Sequence, residues 1–127
     1  MSNIILLVED DLPTCALWER HLTHQGWEVQ AAHDFDTAED AVLRYQPAAI
    51  ILDVILGDHR SGWDLLTKVR SWKWSQQLPV LIVSAVDEPN RARAIGANGF
   101  LLKPCSPSTV IARIQDFLYV AEQAQSA

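Results

Sequence analysis

The chain has 127 residues, of which 49% are hydrophobic and 20% are charged, and its formal net charge is −6. This length and composition fit one globular domain with a buried core and exclude a disordered chain. No apolar run is long enough to span a membrane, and the start lacks the basic region of a signal peptide, so we expect a cytoplasmic protein without a membrane partner. The negative charge and the lack of a lysine or arginine run argue against direct binding of nucleic acid.

Five short segments have the length and composition of β-strands. Most are continuous apolar runs rather than alternating ones, which is typical of strands buried on both faces of a parallel sheet. In chain order they are residues 4–8, 29–32, 48–52, 80–83 and 99–102.

The segments between these strands carry apolar residues at helical spacing. The first predicted helix starts near Pro13 and stops at Gly26, Asp34 or Asp36 caps the second, and Ser106 caps the last. The predicted inner faces are Thr14, Leu17, Trp18, His21 and Leu22 in the first helix, Phe35, Ala38, Val42 and Tyr45 in the second, Leu65, Leu66, Val69 and Trp72 in the third, and Val110, Ile111, Ile114, Phe117 and Leu118 in the last.

Strand and helix alternate along the whole chain, which predicts an α/β fold with a parallel sheet and helices on both faces. Residues 90–95, between the last two strands, form at most a short helix. We expect one domain over residues 1–120, followed by a tail or the start of a linker at residues 121–127. Right-handed crossovers place the carboxyl ends of all the strands at one edge of the sheet, where open α/β folds keep their sites.

Side chains that can bind a metal ion and a phosphate group follow these strands. The edge collects Glu9, Asp10, Asp11, Asp53, Ser84 and Lys103. Converging carboxylates repel one another, and a divalent cation such as Mg²⁺ (or Mn²⁺) relieves the repulsion. We expect Asp10 and Asp53 to be direct ligands. Glu9 would act through a bound water, and the backbone carbonyl of Ile55 would add a further ligand.

An aspartate beside Mg²⁺ and a lysine can accept a phosphoryl group and form an acyl phosphate. Asp53 is the predicted nucleophile, because it ends the central strand. Lys103 and the metal ion would neutralise the charge of the transferring group. Ser84 offers a hydroxyl that can reach a phosphoryl oxygen from the neighbouring strand.

Four short motifs, each at the end of a predicted strand, carry a family resemblance. They are ILLVEDD ending at Asp11, IILD ending at Asp53, VSA around Ser84 and LLKP around Lys103. Over about residues 3–120 the sequence resembles the receiver domain of two-component response regulators. The resemblance implies a flavodoxin-like (CheY-like) fold with a five-stranded parallel sheet of order 2-1-3-4-5.

The resemblance also implies a function. Asp53 would accept a phosphoryl group from a sensor histidine kinase or a histidine phosphotransfer protein. Glu9 and Asp10 match the acidic pair that holds Mg²⁺ in the family. Ser84 and Phe100 match the switch that changes partner binding. Such a domain catalyses only its own aspartate phosphorylation and dephosphorylation, so we do not expect an enzyme in the metabolic sense.

The bond between Lys103 and the next residue, Pro104, is usually cis in the family. The sequence also departs from the family in several places. Phe100 carries no hydroxyl, so switching there would work through packing alone. The interval between Ser84 and Lys103 is short, so the fourth helix should be stunted. The loop after Asp53 is one residue longer than usual.

Other functions stay open at this stage. A pseudo-receiver would be a docking or dimerisation module that no longer cycles phosphate. A flavin protein would need a phosphate-cradling loop after the first strand, where this chain has three acids. An aspartyl phosphatase would have an acid at the position of Ile55.

The sequence says less about the downstream output of the phosphorylated form and about its lifetime. Asn98 and Gly99 replace the acidic pair that is common in DNA-binding regulators, which argues against direct transcriptional output. Ile55 and Val86 flank the expected site with apolar side chains, and we hypothesise that they shield the acyl phosphate from water. The oligomeric state and the downstream effector stay open.

Overall fold

A computed structural model describes residues 2–57 and 60–126, and these form alternating strands and helices. The elements in chain order are β1 (Ile4–Val8), α1 (Leu12–His24), β2 (Glu28–Ala32), α2 (Phe35–Tyr45), β3 (Ala49–Leu52), α3 (Gly62–Ser71), a 3₁₀ turn (Lys73–Ser75), β4 (Val80–Ser84), α4 (Pro89–Ile95), β5 (Gly99–Leu102) and α5 (Pro107–Ser126). Residues 58 and 59, in the loop after Asp53, lie outside the described residues.

The strands form one sheet in the order β2-β1-β3-β4-β5, and every neighbouring pair is parallel. The predicted flavodoxin-like order is therefore confirmed. The central strand β3 is fully buried, because β1 and β4 pair with its two edges and helices cover both of its faces. This double coverage explains why its sequence is a continuous apolar run.

The core consists of two layers, one on each face of the sheet. Alternate residues of the central strands face opposite layers, because successive side chains of a strand point to opposite sides. The layer under α2, α3 and α4 includes Leu6, Val8, Ile50, Leu52, Val80 and Ile82. The layer under α1 and α5 includes Ile5, Leu7, Ala49, Ile51, Leu81 and Val83.

The predicted inner face of α1 was partly wrong. Leu17 is 40% exposed and His21 is exposed, whereas Cys15, Trp18 and Leu22 are the buried residues of this helix. Trp18 and Leu22 belong to both the predicted and the buried stripe, and the buried stripe is completed by Cys15 rather than by Leu17 and His21. The predicted inner faces of α2, α3 and α5 are buried or half-buried as expected.

The fourth helix is short, as predicted, and α4 spans only 7 residues. It ends at Gly96, whose φ of 109° is in the left-handed region that favours glycine. The Arg70 guanidinium donates through Nε to the Gly96 carbonyl at 2.9 Å and through an Nη to Asn98 Oδ1 at 2.9 Å. The carboxyl-terminal end of α4 is therefore fastened to α3 and to the start of β5.

The last helix is longer than the sequence indicated. α5 continues to Ser126, so residues 121–126 extend the helix. The division between a domain and a tail at residue 120 stays a prediction. Within the described part of the chain, no helix is both long enough and apolar enough to cross a membrane.

The start of α2 is fixed by its N-cap residue, Asp34. Its Oδ1 accepts a hydrogen bond from the backbone N–H of Thr37 at 2.8 Å and another from the Thr37 hydroxyl at 2.7 Å. These two hydrogen bonds hold the pKa of Asp34 below its ordinary value of 3.8.

Replacing Asp34 with alanine should lower the free energy of unfolding by about 1 kcal/mol at neutral pH, because the first turn of α2 loses its acceptor. A lowered pKa stabilises the fold above the unfolded value, so the difference from wild type should shrink as the pH falls below 3.8. Urea unfolding at several pH values measures both effects. The control is Asp40→Ala, an exposed change within the same helix. An equal loss in the two variants would contradict the capping role.

Candidate functional site

The site lies at the carboxyl edge of the sheet, where the strands deliver their last residues. Backbone hydrogen bonds of the sheet continue one step beyond the strands. The Asp53 N–H donates to the Val8 carbonyl at 3.0 Å, and the Lys103 N–H donates to the Ser84 carbonyl at 2.8 Å. These bonds fix the backbone positions of the nucleophile candidate and of the lysine relative to neighbouring strands. The Lys103–Pro104 peptide bond is cis, which confirms the expectation from the family resemblance.

The Lys103 ammonium joins two carboxylates that are far apart in the sequence. Its Nζ donates to Glu9 Oε2 at 2.6 Å and to Asp53 Oδ2 at 2.9 Å, across 94 and 50 positions of the chain. The Glu9 and Asp53 side chains are 1% and 7% exposed, while that of Lys103 is 22% exposed. The structure thus places these three predicted site residues in direct contact within a largely buried pocket.

Burial and charge act against each other in this pocket. Burial raises the pKa of Glu9 and the nearby Asp53 adds to the effect, while the hydrogen bonds from Lys103 and from the Asp11 backbone oppose it; the net pKa is raised. Burial also lowers the pKa of Lys103. The two carboxylates that accept its hydrogen bonds outweigh that effect, so the net pKa of Lys103 is raised and its ammonium stays charged.

A metal ion fits the same group of acids. Glu9, Asp10 and Asp53 each offer an oxygen, and these atoms all lie within 4.8 Å of one another. Glu9 and Asp53 are buried, and Asp10 lies on the solvent-facing side of the group. Carboxylate oxygens are the ligands that Mg²⁺ prefers. The backbone N–H of Ile55 donates to Asp53 Oδ1 at 3.1 Å, whereas the role of the Ile55 carbonyl as a ligand stays a prediction.

The two predicted switch residues lie on the β4–β5 side of the site. Ser84 is fully buried at the end of β4, and its Oγ accepts a hydrogen bond from the Val86 N–H, two residues further on, at 3.1 Å. Phe100 is half-buried and packs against the layer under α2, α3 and α4. The switch roles of both residues stay predictions.

The comparisons with known proteins agree with this geometry. The family model described as the response regulator receiver domain matches residues 5–115. The chain belongs to this family. As a receiver domain it has many structural relatives, and its similarity to them spans the whole fold.

Three solved structures illustrate the similarity. A response regulator receiver domain from Bermanella marisrubri is 31% identical, with a TM-score of 0.83, covering 93% of this chain and 99% of that one. A putative response regulator from Chloroflexus aurantiacus is 28% identical, with a TM-score of 0.86, covering 94% and 99%. NtrX from Brucella abortus is 27% identical, with a TM-score of 0.88, and the match covers 99% of this chain but 29% of NtrX.

Two glycines of this receiver domain lie close to the acidic residues of the site. We did not predict this role for them from the sequence. Gly57 has a φ of 74°, and a Cβ there would lie 3.0 Å from Asp10 Oδ2. Gly62 begins α3, and a Cβ there would lie 2.3 Å from the Asp53 carbonyl oxygen. The backbone at Gly57 therefore lies close to the Asp10 carboxylate, and the backbone at Gly62 lies close to the Asp53 segment. Their positions at either end of a polar loop were the only signal in the sequence.

Replacing Gly62 with alanine should destabilise the receiver domain by about 3 kcal/mol, because backbone atoms of the Asp53 segment block the new methyl group. The matched control is Gly26→Ala. Its φ of 97° strains any other residue, yet nothing lies within 4 Å of the added carbon. That control should cost about 1 kcal/mol. Urea unfolding of both variants measures the difference, and equal penalties would refute the close packing at Gly62.

Proposed function

We propose that this receiver domain takes part in a two-component phosphorelay by accepting a phosphoryl group on Asp53. The donor would be a phosphohistidine of a sensor histidine kinase or of a histidine phosphotransfer protein. The observation that carries the proposal is the Lys103 ammonium, which lies 2.9 Å from Asp53 and 2.6 Å from Glu9 within the acidic group that could hold a metal ion. A decayed receiver would be expected to lose an acid or the lysine.

The proposed step is a nucleophilic transfer. An oxygen of the Asp53 carboxylate forms a bond to phosphorus, the bond between phosphorus and the histidine nitrogen breaks, and the imidazole leaves with that electron pair. Mg²⁺ held by Glu9, Asp10 and Asp53 would neutralise negative charge on the transferring group. The residues of the chain orient the nucleophile: Oδ1 of Asp53 accepts from the Ile55 N–H, and Oδ2 faces the Lys103 ammonium.

Phosphorylation would be read out through the β4–α4 loop. Ser84 Oγ accepts from the Val86 N–H, so turning the hydroxyl toward a phosphoryl group on Asp53 would break that hydrogen bond. The loop would then rearrange, and the half-buried Phe100 would repack beside it. This is a two-state equilibrium that a covalent modification biases.

The remaining parts of the proposal concern the setting. The domain would act in the cytoplasm on protein partners, and its formal charge of −6 disfavours direct contact with nucleic acid. It would catalyse no reaction other than its own phosphorylation and dephosphorylation. The alternative is a pseudo-receiver that docks to a partner without phosphorylation, and the same experiment separates the two functions.

Incubation with acetyl phosphate and Mg²⁺ should add the mass of one phosphoryl group, as measured by mass spectrometry of the intact protein. Asp53→Asn should abolish the gain because the nucleophile is lost. Lys103→Met should slow it about 100-fold, because roughly 3 kcal/mol of charge stabilisation is removed. Asp116→Asn, an exposed change on α5, is the matched control and should react like wild type.

Wild-type protein that gains no mass, while remaining folded, would favour the pseudo-receiver. A gain that persists in Asp53→Asn would show that another residue is the acceptor. Either result would overturn the proposed function, and the second would also point to a different nucleophile.

The apolar residues beside the site should set the lifetime of the acyl phosphate. Ile55 is 50% exposed and follows Asp53 by two positions, and the half-buried Val86 follows Ser84 by two positions. Replacing both with asparagine should speed hydrolysis about fivefold, since polar side chains admit and orient water. Loss of mass over time measures the rate. Leu43→Asn, on the outer face of α2, is the control, and an unchanged rate in the double variant would refute shielding.

A further inference from the structure

Trp18 is a third neighbour of the site lysine, in addition to Glu9 and Asp53. It lies on α1 and is only 5% exposed, packed in the same layer as Cys15 and Leu22. The Lys103 Nζ lies over its indole ring, 5.7 Å from the ring centroid. The ammonium therefore donates hydrogen bonds to two carboxylates and also lies over one aromatic face at a longer distance.

An indole face attracts a cation through its negative π-electron density. The attraction extends to about 6 Å from the centroid, is strongest for tryptophan among the aromatic residues, and grows when the cation is shielded from water. The Lys103 side chain is 22% exposed. The contact with Trp18 is thus at the outer part of the favourable range but in a largely desolvated setting.

The carboxylate contacts and the indole contact differ in one respect. A hard divalent cation takes oxygen ligands, so metal binding at Glu9 and Asp53 competes with the ammonium for the same carboxylate oxygens. The added positive charge also repels Lys103. The indole ring of Trp18 offers no oxygen and is not a ligand for such a cation. Its attraction for the ammonium therefore remains when the carboxylates are occupied.

We propose that Trp18 is a positioning residue that keeps the Lys103 ammonium beside Asp53 while the carboxylates hold a metal ion and the phosphoryl group arrives. This inference rests on the proposed function, because it concerns the reactive state of the same pocket. Trp18 does not touch the reacting atoms and acts only through Lys103. A tryptophan that merely fills the layer under α1 would affect stability but not the placement of the lysine.

The first test compares phosphorylation rates with acetyl phosphate and saturating Mg²⁺. Trp18→Leu should react roughly fivefold more slowly than wild type, and Trp18→Phe should recover part of that loss because it keeps an aromatic face. Trp27→Leu is the matched control, since Trp27 packs against the same layer of the core. It should react like wild type even if its stability falls.

A double-mutant cycle separates the lysine from the rest of the pocket. In the Lys103→Met background, Trp18→Leu should cause no further slowing, because the cation that Trp18 holds is gone. Equal slowing in both backgrounds would overturn the inference and leave a packing role. Wild-type rates in Trp18→Leu would overturn it as well, and would leave the proposed function intact.

A second readout does not depend on phosphorylation. In protein with ¹³C-labelled lysine, the Lys103 methylene protons should be shifted upfield by the indole ring current, and Trp18→Leu should remove that shift. The shift should persist when Mg²⁺ is added. Its absence in wild type, or its loss on adding Mg²⁺, would refute the positioning role whether or not the protein accepts phosphate.

Discussion

The ion pairs of Lys103 with Glu9 and Asp53 are the interactions on which the site depends. Two carboxylates stand at neighbouring strand ends with almost no exposure to water. Such a pair would be costly if it were uncompensated, because burial and mutual repulsion both disfavour the charged forms. The ammonium donates a hydrogen bond to each of them and thereby makes their burial possible. The Lys103 side chain thus offsets much of the free-energy cost of burying both carboxylates.

The same acids that accept hydrogen bonds from Lys103 also belong to the group that could hold a metal ion. A metal ion at the three acids would supply the positive charge that Lys103 now supplies to two of them. The lysine would then be released from carboxylates to phosphoryl oxygens while staying in place. The backbone around the acids is held by the sheet hydrogen bonds of Asp53 and by the close approach of Gly62. These contacts would hold the acids in position if a metal ion replaced the ammonium as their partner.

The short helix α4 is connected to the rest of the fold by contacts of its charged and polar neighbours. Arg70 fastens the carboxyl-terminal end of α4 to α3 and β5. The amino-terminal end follows the loop after β4, where the Val86 N–H donates to Ser84 Oγ. Near that end, the Arg91 guanidinium lies over the Trp63 ring of α3, 4.7 Å from the ring centroid, so α3 contacts both ends of the short helix.

The sequence by itself determined the order of elements, the parallel sheet and the residues that gather at its carboxyl edge. Continuous apolar runs identify strands with two covered faces, and right-handed crossovers leave one edge for their polar endings. The family resemblance added the sheet order and the cis bond before Pro104. These features follow from patterns that are local in the chain or shared by the family.

Only the tertiary structure decided which face of α1 is buried, how Gly57 and Gly62 approach the acids, and that Trp18 lies beneath Lys103. Helical periodicity defines a stripe, but it does not decide which residues at the margins of the stripe on α1 are buried. The contact between Trp18 of α1 and Lys103, which follows β5, joins residues that are far apart in the sequence, so no local pattern predicts it. Such choices depend on packing against the rest of the fold, because the free energy that selects them comes from contacts between distant segments.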